Sequence, residues 1–368
     1  MGLLKKILLG RSAGILLWVV FWLALADVGI NLAFGSRAAK ETTLGRYFEY
    51  GRSVEGKLAL AITEERKPGS LLSAGWIDPE LLKSVPSDRK EGTDLTMAVY
   101  GQSFSMHAAH AAVALDGKIT LRGFGGPGAP PNHSYAGYQA DTPFRKADVV
   151  VFGVLSSSVP DMGSMSGLIW QFESPAPFTF PRYRVAGSTL TADQPVIRSE
   201  AEFREAFGRQ TPLWQQFKAQ LKSNDRGYSA FVFDQSPLDR SAIVRLVRRG
   251  WVAHHEAYDQ GVYDAHNGFN LQSEEVQALR TMLAELSRQT KARGERLVVL
   301  LLHTRGHSDH LYQAIGPALD AAKIDYVSTH TLFSANDPTH FLPDGHYVPA
   351  ANQKLAKALL SKVRSRQP

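Results

Sequence analysis

The sequence contains no cysteine. That absence removes disulfide staples, thiolate metal sites and a cysteine nucleophile, and it leaves any covalent chemistry to oxygen and imidazole groups. Internal repeats and low-complexity tracts are also missing from the 368 residues, which speaks against a solenoid or a disordered polymer. Nor is charge segregated. The net charge of +6 and isoelectric point near 9.3 come from basic residues scattered along the chain. No nucleic-acid module emerges from that scatter, and no nucleic acid is expected as a partner, although an acidic polymer or an anionic membrane surface suits the sign. With 44% hydrophobic and 21% charged residues, the composition suits a chain that buries a sizeable core.

What stands out first is the N-terminus. A short basic leader, MGLLKKILLGR, is followed by AGILLWVVFWLALADVGINLAFG, a run of 23 mostly apolar residues, long enough to span a bilayer. Ala24-Leu25-Ala26 also resembles a signal-peptide cleavage site; we read the run as a retained anchor that places the rest of the chain outside the cytoplasm. Arg37, Lys40, Arg46 and Arg52 follow it, so the positive-inside count does not decide orientation. Asp27 and Asn31 lie in its second half, where a lipid-facing helix avoids such groups. Either they sit near the far interface, or they meet a buried partner.

Residues 1–35 are therefore expected as an anchor, 36–95 as a stalk and lead-in, and 96–368 as one α/β domain with an insertion over about 165–290. Within the domain, LTMAVYG predicts a buried strand, SMHAAHAAVAL a helix, and KITLRGF and KADVVVFGVL further strands. Near the other end, ERLVVLLLH is a strongly apolar strand, SDHLYQAIGPALDAAKI a helix, DYVST a short strand and PAANQKLAKALLSKV an amphipathic terminal helix. Such alternation predicts a central, mostly parallel sheet covered by helices on both faces. In the insertion, residues 172–196 suit a hairpin, and helices are expected near 200–222, 237–250 and 273–293.

In a parallel α/β sheet, ligands collect outside the carboxyl ends of the strands. Ser103, in VYGQSFSMHAAHAA, lies at such a place. Gly101 permits an abrupt turn, and the following helix would aim its first amides at an oxyanion beside the serine. Serine there is equally a common helix N-cap, so the position alone leaves both readings open. Glycine-bearing loops follow the next two strands, RGFGGPGAPPNH and FGVLSSSVPD. Finally HFLPDGHYVPAANQKLAKAL sets Asp344 and His346 before the terminal helix, where an imidazole could accept the serine proton and a carboxylate orient it.

Taken in order, these blocks resemble the SGNH/GDSL hydrolase superfamily over roughly residues 96–160 and 296–365. The match is G-x-S-F on a strand-to-helix turn, a glycine in the second block, a third strand ending near glycine, and D-G-H-x-x-P-A before the last helix. By position the resemblance implies an SGNH-like three-layer domain, Ser103 as nucleophile, Gly126 as oxyanion donor beside the Ser103 amide, and His346 as general base. Three departures stand out. Gln102 occupies the family's usual acidic position before the serine. Leu155 replaces the third-block asparagine, with Ser156 and Ser157 following. Pro343 lies three residues before the histidine where aspartate is usual, which leaves Asp344 first, and otherwise Asp337 or a backbone carbonyl, to orient the ring.

With its N-terminal run and long insertion, the chain looks most like membrane-anchored SGNH-type proteins that O-acetylate bacterial cell-surface polysaccharides. That likeness implies single-pass anchoring in the inner membrane with the catalytic domain in the periplasm, a polysaccharide acceptor and a membrane-bound O-acyltransferase as partner. No cofactor is called for. A carbohydrate O-acetyl esterase using the same residues, or a non-catalytic polysaccharide-binding scaffold, are the alternatives.

HTRGHSDHL, residues 303–311, overlaps part of a zinc-hydrolase signature, but Arg305 falls where the first histidine belongs, so no metal is expected. His303 and Arg305 are instead candidate substrate contacts. His107 and His110 share the helical face of Ser103, where they either border the pocket or are satisfied core or interface residues, and neither is counted in the catalytic set. A polar, aromatic loop collecting His254, His255, Glu256, Asp259, Asp264 and His266 suits sugar binding or an ordinary surface loop.

Overall fold

The computed structural model describes residues 2–36, 42–63, 72–84, 88–254 and 261–365, with side chains placed from Ser12 onward. Arg37, Lys40, His255, Glu256 and Asp259 lie outside the described residues. Among the described residues there are nine strands: β1 Leu95–Tyr100, β2 Ile119–Phe124, β3 Val149–Leu155, β4 Arg182–Ala186, β5 Thr189–Asp193, β6 Tyr263–Asp264, β7 Gly268–Phe269, β8 Arg296–Leu302 and β9 Asp325–Ser328.

Contacts divide the chain into two compact units, one of residues 65–171, 176–227 and 257–368, the other of 1–64, 172–175 and 228–256. The larger is a three-layer α/β domain around a five-stranded sheet of order β2-β1-β3-β8-β9, parallel in each described pairing. Its strands alternate between two cores with period two, as side chains of a pleated strand must. Ala98, Tyr100, Val150, Phe152, Val154, Val299 and Leu301 face one core, where helices Glu274–Ala292 and His310–Ala321 pack. Met97, Val99, Val149, Val151, Val298, Leu300 and Leu302 face the other, against helices Ser103–Leu115 and Pro349–Arg364. Burial on both faces explains why LTMAVY and RLVVLLL read as unbroken apolar runs. The strand order reverses direction between β1 and β3, which makes the end of β1 a topological switch point.

Within the insertion, β4 and β5 form the expected antiparallel hairpin. The helix expected over 200–222 is two, Glu200–Gly208 and Pro212–Asn224. Pro212 cannot continue a helix but fits the first position of a new one. The helix expected over 273–293 is Glu274–Ala292, its N-cap Ser273 accepting from the Val276 amide.

The smaller unit joins stretches that the linear boundaries kept apart. Helix Thr43–Glu49, from the stretch read as a stalk, packs with Ala242–His254 from the insertion, which also packs on the long first helix, Gly2–Phe34; Val54–Thr63, from the same stretch, packs with Ala230–Phe233. Ser12–Phe34 of that helix is apolar and long enough to cross a membrane. The helix expected over 237–250 begins with a 3-10 turn, Pro237–Arg240, before Ala242–His254. Asp27 and Asn31 both meet polar partners in this unit. Asp27 Oδ1 accepts from the Ile243 amide and the Ser241 hydroxyl, both at 2.9 Å, capping helix 242–254 as an Asp N-cap would. Asn31 Oδ1 accepts from Arg245 Nη2 at 2.9 Å.

Candidate active site

β1 ends in Tyr100, and Gly101-Gln102 turn the chain into helix Ser103–Leu115. The turn is tight because the helix lies directly on the strand ends. A Cβ on Gly101 would stand 2.4 Å from Ser105 Oγ, and one on Gly153 of β3 would stand 1.8 Å from it. Real Cβ atoms do not approach so closely, so both strands need glycine there.

Gln102, not Ser103, is the N-cap residue, and its side chain makes no capping bond. Its Nε2 instead donates to Ser158 Oγ at 3.3 Å, buried beside the end of β3. Ser103 is the first helical residue, so its hydroxyl is not spent on capping. That hydroxyl lies 2.7 Å from His346 Nε2. Among the described residues no group accepts the Ser103 amide hydrogen, as expected for a first-turn amide.

His346 arrives on a narrow hairpin. Leu342 N donates to His346 O at 2.7 Å, Gly345 N donates to Leu342 O at 2.9 Å, and Phe341 bridges Tyr347. Pro343 and Asp344 fill the turn, and Gly345, at φ +87°, takes the left-handed position that such a loop needs. Tyr347 OH anchors the returning arm on His303 O at 2.8 Å. The His346 ring stacks on Phe104, with centroids 4.8 Å apart. Its Nδ1 is 3.2 Å from Asp344 Oδ2, while its amide donates to Asp344 Oδ1 at 3.1 Å. That backbone bond, followed by the ring, lowers the Asp344 pKa below the usual carboxylate value. With Nδ1–H directed to Asp344, Nε2 is left to accept the serine proton. Asp337 is engaged elsewhere: its Oδ1 accepts from the amide and hydroxyl of Thr339.

The second-block glycines lie side by side with different surroundings. A Cβ on Gly125 would be 2.0 Å from Gly101 O and 3.8 Å from Gln102 Cα, so this residue runs against the serine turn. On Gly126, the residue singled out by position, a Cβ would meet His133 Cε1 at 3.1 Å and Gly75 Cα at 3.2 Å. His133 was not foreseen. It is fully buried beneath that loop, stacked on Phe124, with Nε2 2.7 Å from Gly75 O. Burial lowers its pKa to about 4, so the ring is neutral and Nε2–H donates to the carbonyl. The only signal in the sequence was its place in the same PPNH stretch as the glycines.

Leu155, at the position of the family's asparagine, is buried in the apolar core. Ser156 Oγ lies 2.7 Å from Thr304 Oγ1 and accepts from the Thr304 amide at 2.9 Å, tying the end of β3 to the loop after β8. His303 does not reach a substrate surface, contrary to expectation. It is 1% exposed, its Nδ1 is 3.0 Å from Thr329 Oγ1, and its Nε2 accepts from the Tyr312 amide at 3.2 Å. Burial, then His330, lowers its pKa to about 4. Arg305 is exposed on the following turn. His107, exposed on the serine helix, has its ring 5.1 Å from that of His346, and desolvation followed by His346 lowers its pKa. Among the described residues, no group of three or more His, Asp or Glu side chains is placed to hold a metal ion.

No family model matches the sequence, and no curated protein matches it. Solved structures similar in layout include a GDSL-like lipase from Bacteroides thetaiotaomicron, at 6% identity and a TM-score of 0.39, covering 77% of this chain and 94% of that one. An α/β hydrolase from the metagenome of Lake Arreo is similar at 11% identity and a TM-score of 0.38, over 74% of this chain and 96% of that one. A catalytic mutant of an acetylxylan esterase from Geobacillus stearothermophilus is similar at 11% identity and a TM-score of 0.36, over 76% and 98%.

Proposed function

We propose that this chain is a serine-dependent O-acyl transfer enzyme of the bacterial cell envelope, anchored in the inner membrane by its first helix and acting in the periplasm. The observation that carries the reading is the 2.7 Å contact between Ser103 Oγ and His346 Nε2, within the distance a general base needs. His346 removes the hydroxyl proton as Ser103 Oγ attacks the acyl carbonyl of a donor ester. The negative charge that develops on the carbonyl oxygen is met by the Ser103 amide and an amide of the Gly125-Gly126 loop. Collapse breaks the bond to the donor oxygen, His346 returns the proton to it, and the acyl group stays on Ser103. A carbohydrate hydroxyl, deprotonated by His346, then attacks the seryl ester and takes the acyl group, and the proton goes back to Ser103. If water attacks instead, the products are a free acid and the enzyme, which is esterase chemistry with the same residues.

We favour transfer of an acetyl group to a polysaccharide, in concert with a membrane-bound O-acyltransferase that supplies it, because the order of the motifs, the apolar first helix and the long insertion together resemble that class. The test uses the full chain in detergent. A fluorophosphonate should label the wild type and not Ser103→Ala, and p-nitrophenyl acetate turnover should be lost in the same variant; equal labelling or equal turnover would refute the reading. Acetate release from the donor ester without acetylation of added oligosaccharide would assign the esterase form. A non-catalytic scaffold is favoured by one observation, the buried Leu155 in place of a polar oxyanion partner. Absence of labelling in the folded wild type, under conditions that label a known esterase, would select it.

A further inference from the structure

In the smaller unit, helix Ala242–His254 is arranged inside out. Arg245 and Arg248 point inward, at 4% and 1% exposure, whereas Val247 and Trp251, one turn apart, are 56% and 45% exposed. The inward face is a polar network. Arg248 donates to Asp239 Oδ1 at 2.6 Å, to Phe231 O at 2.6 Å and to Gly51 O at 3.0 Å, and Arg245 pairs with Glu49 and Asn31. A helix on a water-facing surface has the opposite polarity, with charges outward and an apolar stripe inward. The inversion extends beyond this helix. Among the described residues outside the first helix, seven of the twelve exposed large apolar side chains belong to this unit, the smaller of the two, including Leu44, Tyr47 and Leu238.

The helix is also fixed to the apolar run at a defined level. Asp27 caps its first turn and Asn31 holds Arg245. Asp27 lies sixteen positions after Arg11, about 24 Å along a helix. With the basic leader at one set of headgroups, Asp27 therefore emerges close to the other edge of a hydrocarbon core roughly 30 Å thick. That edge is where tryptophan and tyrosine collect and where amphipathic helices lie in the plane of the bilayer.

We propose that the apolar face formed by Val247, Trp251, Leu238, Leu44 and Tyr47 is a membrane-interface surface, seated in the headgroup and acyl boundary of the bilayer that the first helix crosses. The inference rests on the reading of that helix as a retained span. The occupant is lipid because the helix that carries Val247 and Trp251 is bonded to the span at the level of Asp27 and Asn31, and because Arg245 and Arg248 are turned inward and leave those apolar side chains outside.

The absence of native cysteine allows a direct test on the full chain. V247C and L44C, on separate helices, each carry a polarity-sensitive fluorophore in vesicles of phosphatidylethanolamine and phosphatidylglycerol, with and without brominated acyl chains. L16C in the apolar run and the same fluorophore coupled to free cysteine in buffer serve as references. A blue shift and bromolipid quenching at V247C and L44C approaching those at L16C, with neither for the free adduct, is the expected result. Water-like emission at both probes while L16C is quenched would overturn the interfacial surface, leave the span intact and assign the face to water or to another protein. Absence of quenching at L16C as well would overturn the span itself, and the inference with it.

Discussion

Ser103 lies one position inside its helix, and that single step decides what its hydroxyl does. Had it occupied the N-cap, its oxygen would have been committed to a first-turn amide; with Gln102 there, Ser103 Oγ meets His346. If His346 is the base proposed above, His346→Ala should lower turnover of an acyl ester by on the order of a hundred- to ten-thousand-fold, measured as initial rates against wild type. Asp344 is a different case. Its carboxylate is solvent-exposed, and it is held near the ring mainly by the His346 amide. Exposed pairs contribute little, so Asp344→Asn should lower the same rate by no more than about tenfold, whereas a loss equal to that of His346→Ala would assign the carboxylate an essential role. The serine, the histidine and the neighbouring aspartate were legible in the sequence because each stands on a short local motif. His303 was misread for a related reason: a histidine at the end of a strand looks the same in sequence whether its ring faces a ligand or turns inward to Thr329 and the Tyr312 amide. Gly126 was singled out over Gly125 by position in the resemblance alone, since adjacent glycines give no hint of which backbone passes the serine turn, and it is Gly125 that lies against Gly101.

The helix that begins at Ser103 is seated by two glycines that belong to different strands, Gly101 after β1 and Gly153 within β3. Gly153→Ala forces a methyl group into Ser105 and should destabilise the α/β domain by about 1–3 kcal/mol, the usual cost of overpacking. Removing the obstacle in Gly153→Ala/Ser105→Gly should recover part of that loss, so a urea-denaturation double-mutant cycle should give a favourable coupling term. Additive losses would show that the two residues do not meet. Strands of this sheet could be read from the sequence because burial on both faces makes each an apolar run of limited length. Helix boundaries in the insertion were harder. Its Pro212 marks the start of a second helix, and the polarity of helix 242–254 is inverted, so rules drawn from water-facing surfaces misplace its limits.

At the scale of the molecule, two buried neutral histidines link stability to acidity. His133 and His303 have pKa values lowered to about 4 inside the fold, against about 6.5 in an unfolded chain. Above that value both states are neutral there, and nothing is lost. As pH falls from about 6.5 to about 4 the unfolded state takes up the protons first, so stability should decline by about 1.4 kcal/mol per pH unit for each histidine at the steepest part. The urea midpoint of the full chain should therefore be lower at pH 5 than at pH 7, and the dependence should be shallower in His133→Gln; a flat profile in the wild type would show that these rings are not held neutral. The parallel sheet and its covering helices were foreseeable, but the pairing of residues 42–63 with 228–254 was not, because no pattern local to either segment announces a partner so distant. The same pairing bears on how the protein can be handled. A truncated chain that starts after Phe34 loses Asp27 and Asn31 together, leaving Ile243 and Ser241 without their acceptor and removing one partner of Arg245. Any exchange of the N-terminal helix for another sequence has to carry those two side chains across, since the helix serves as a structural brace for the segment beside it.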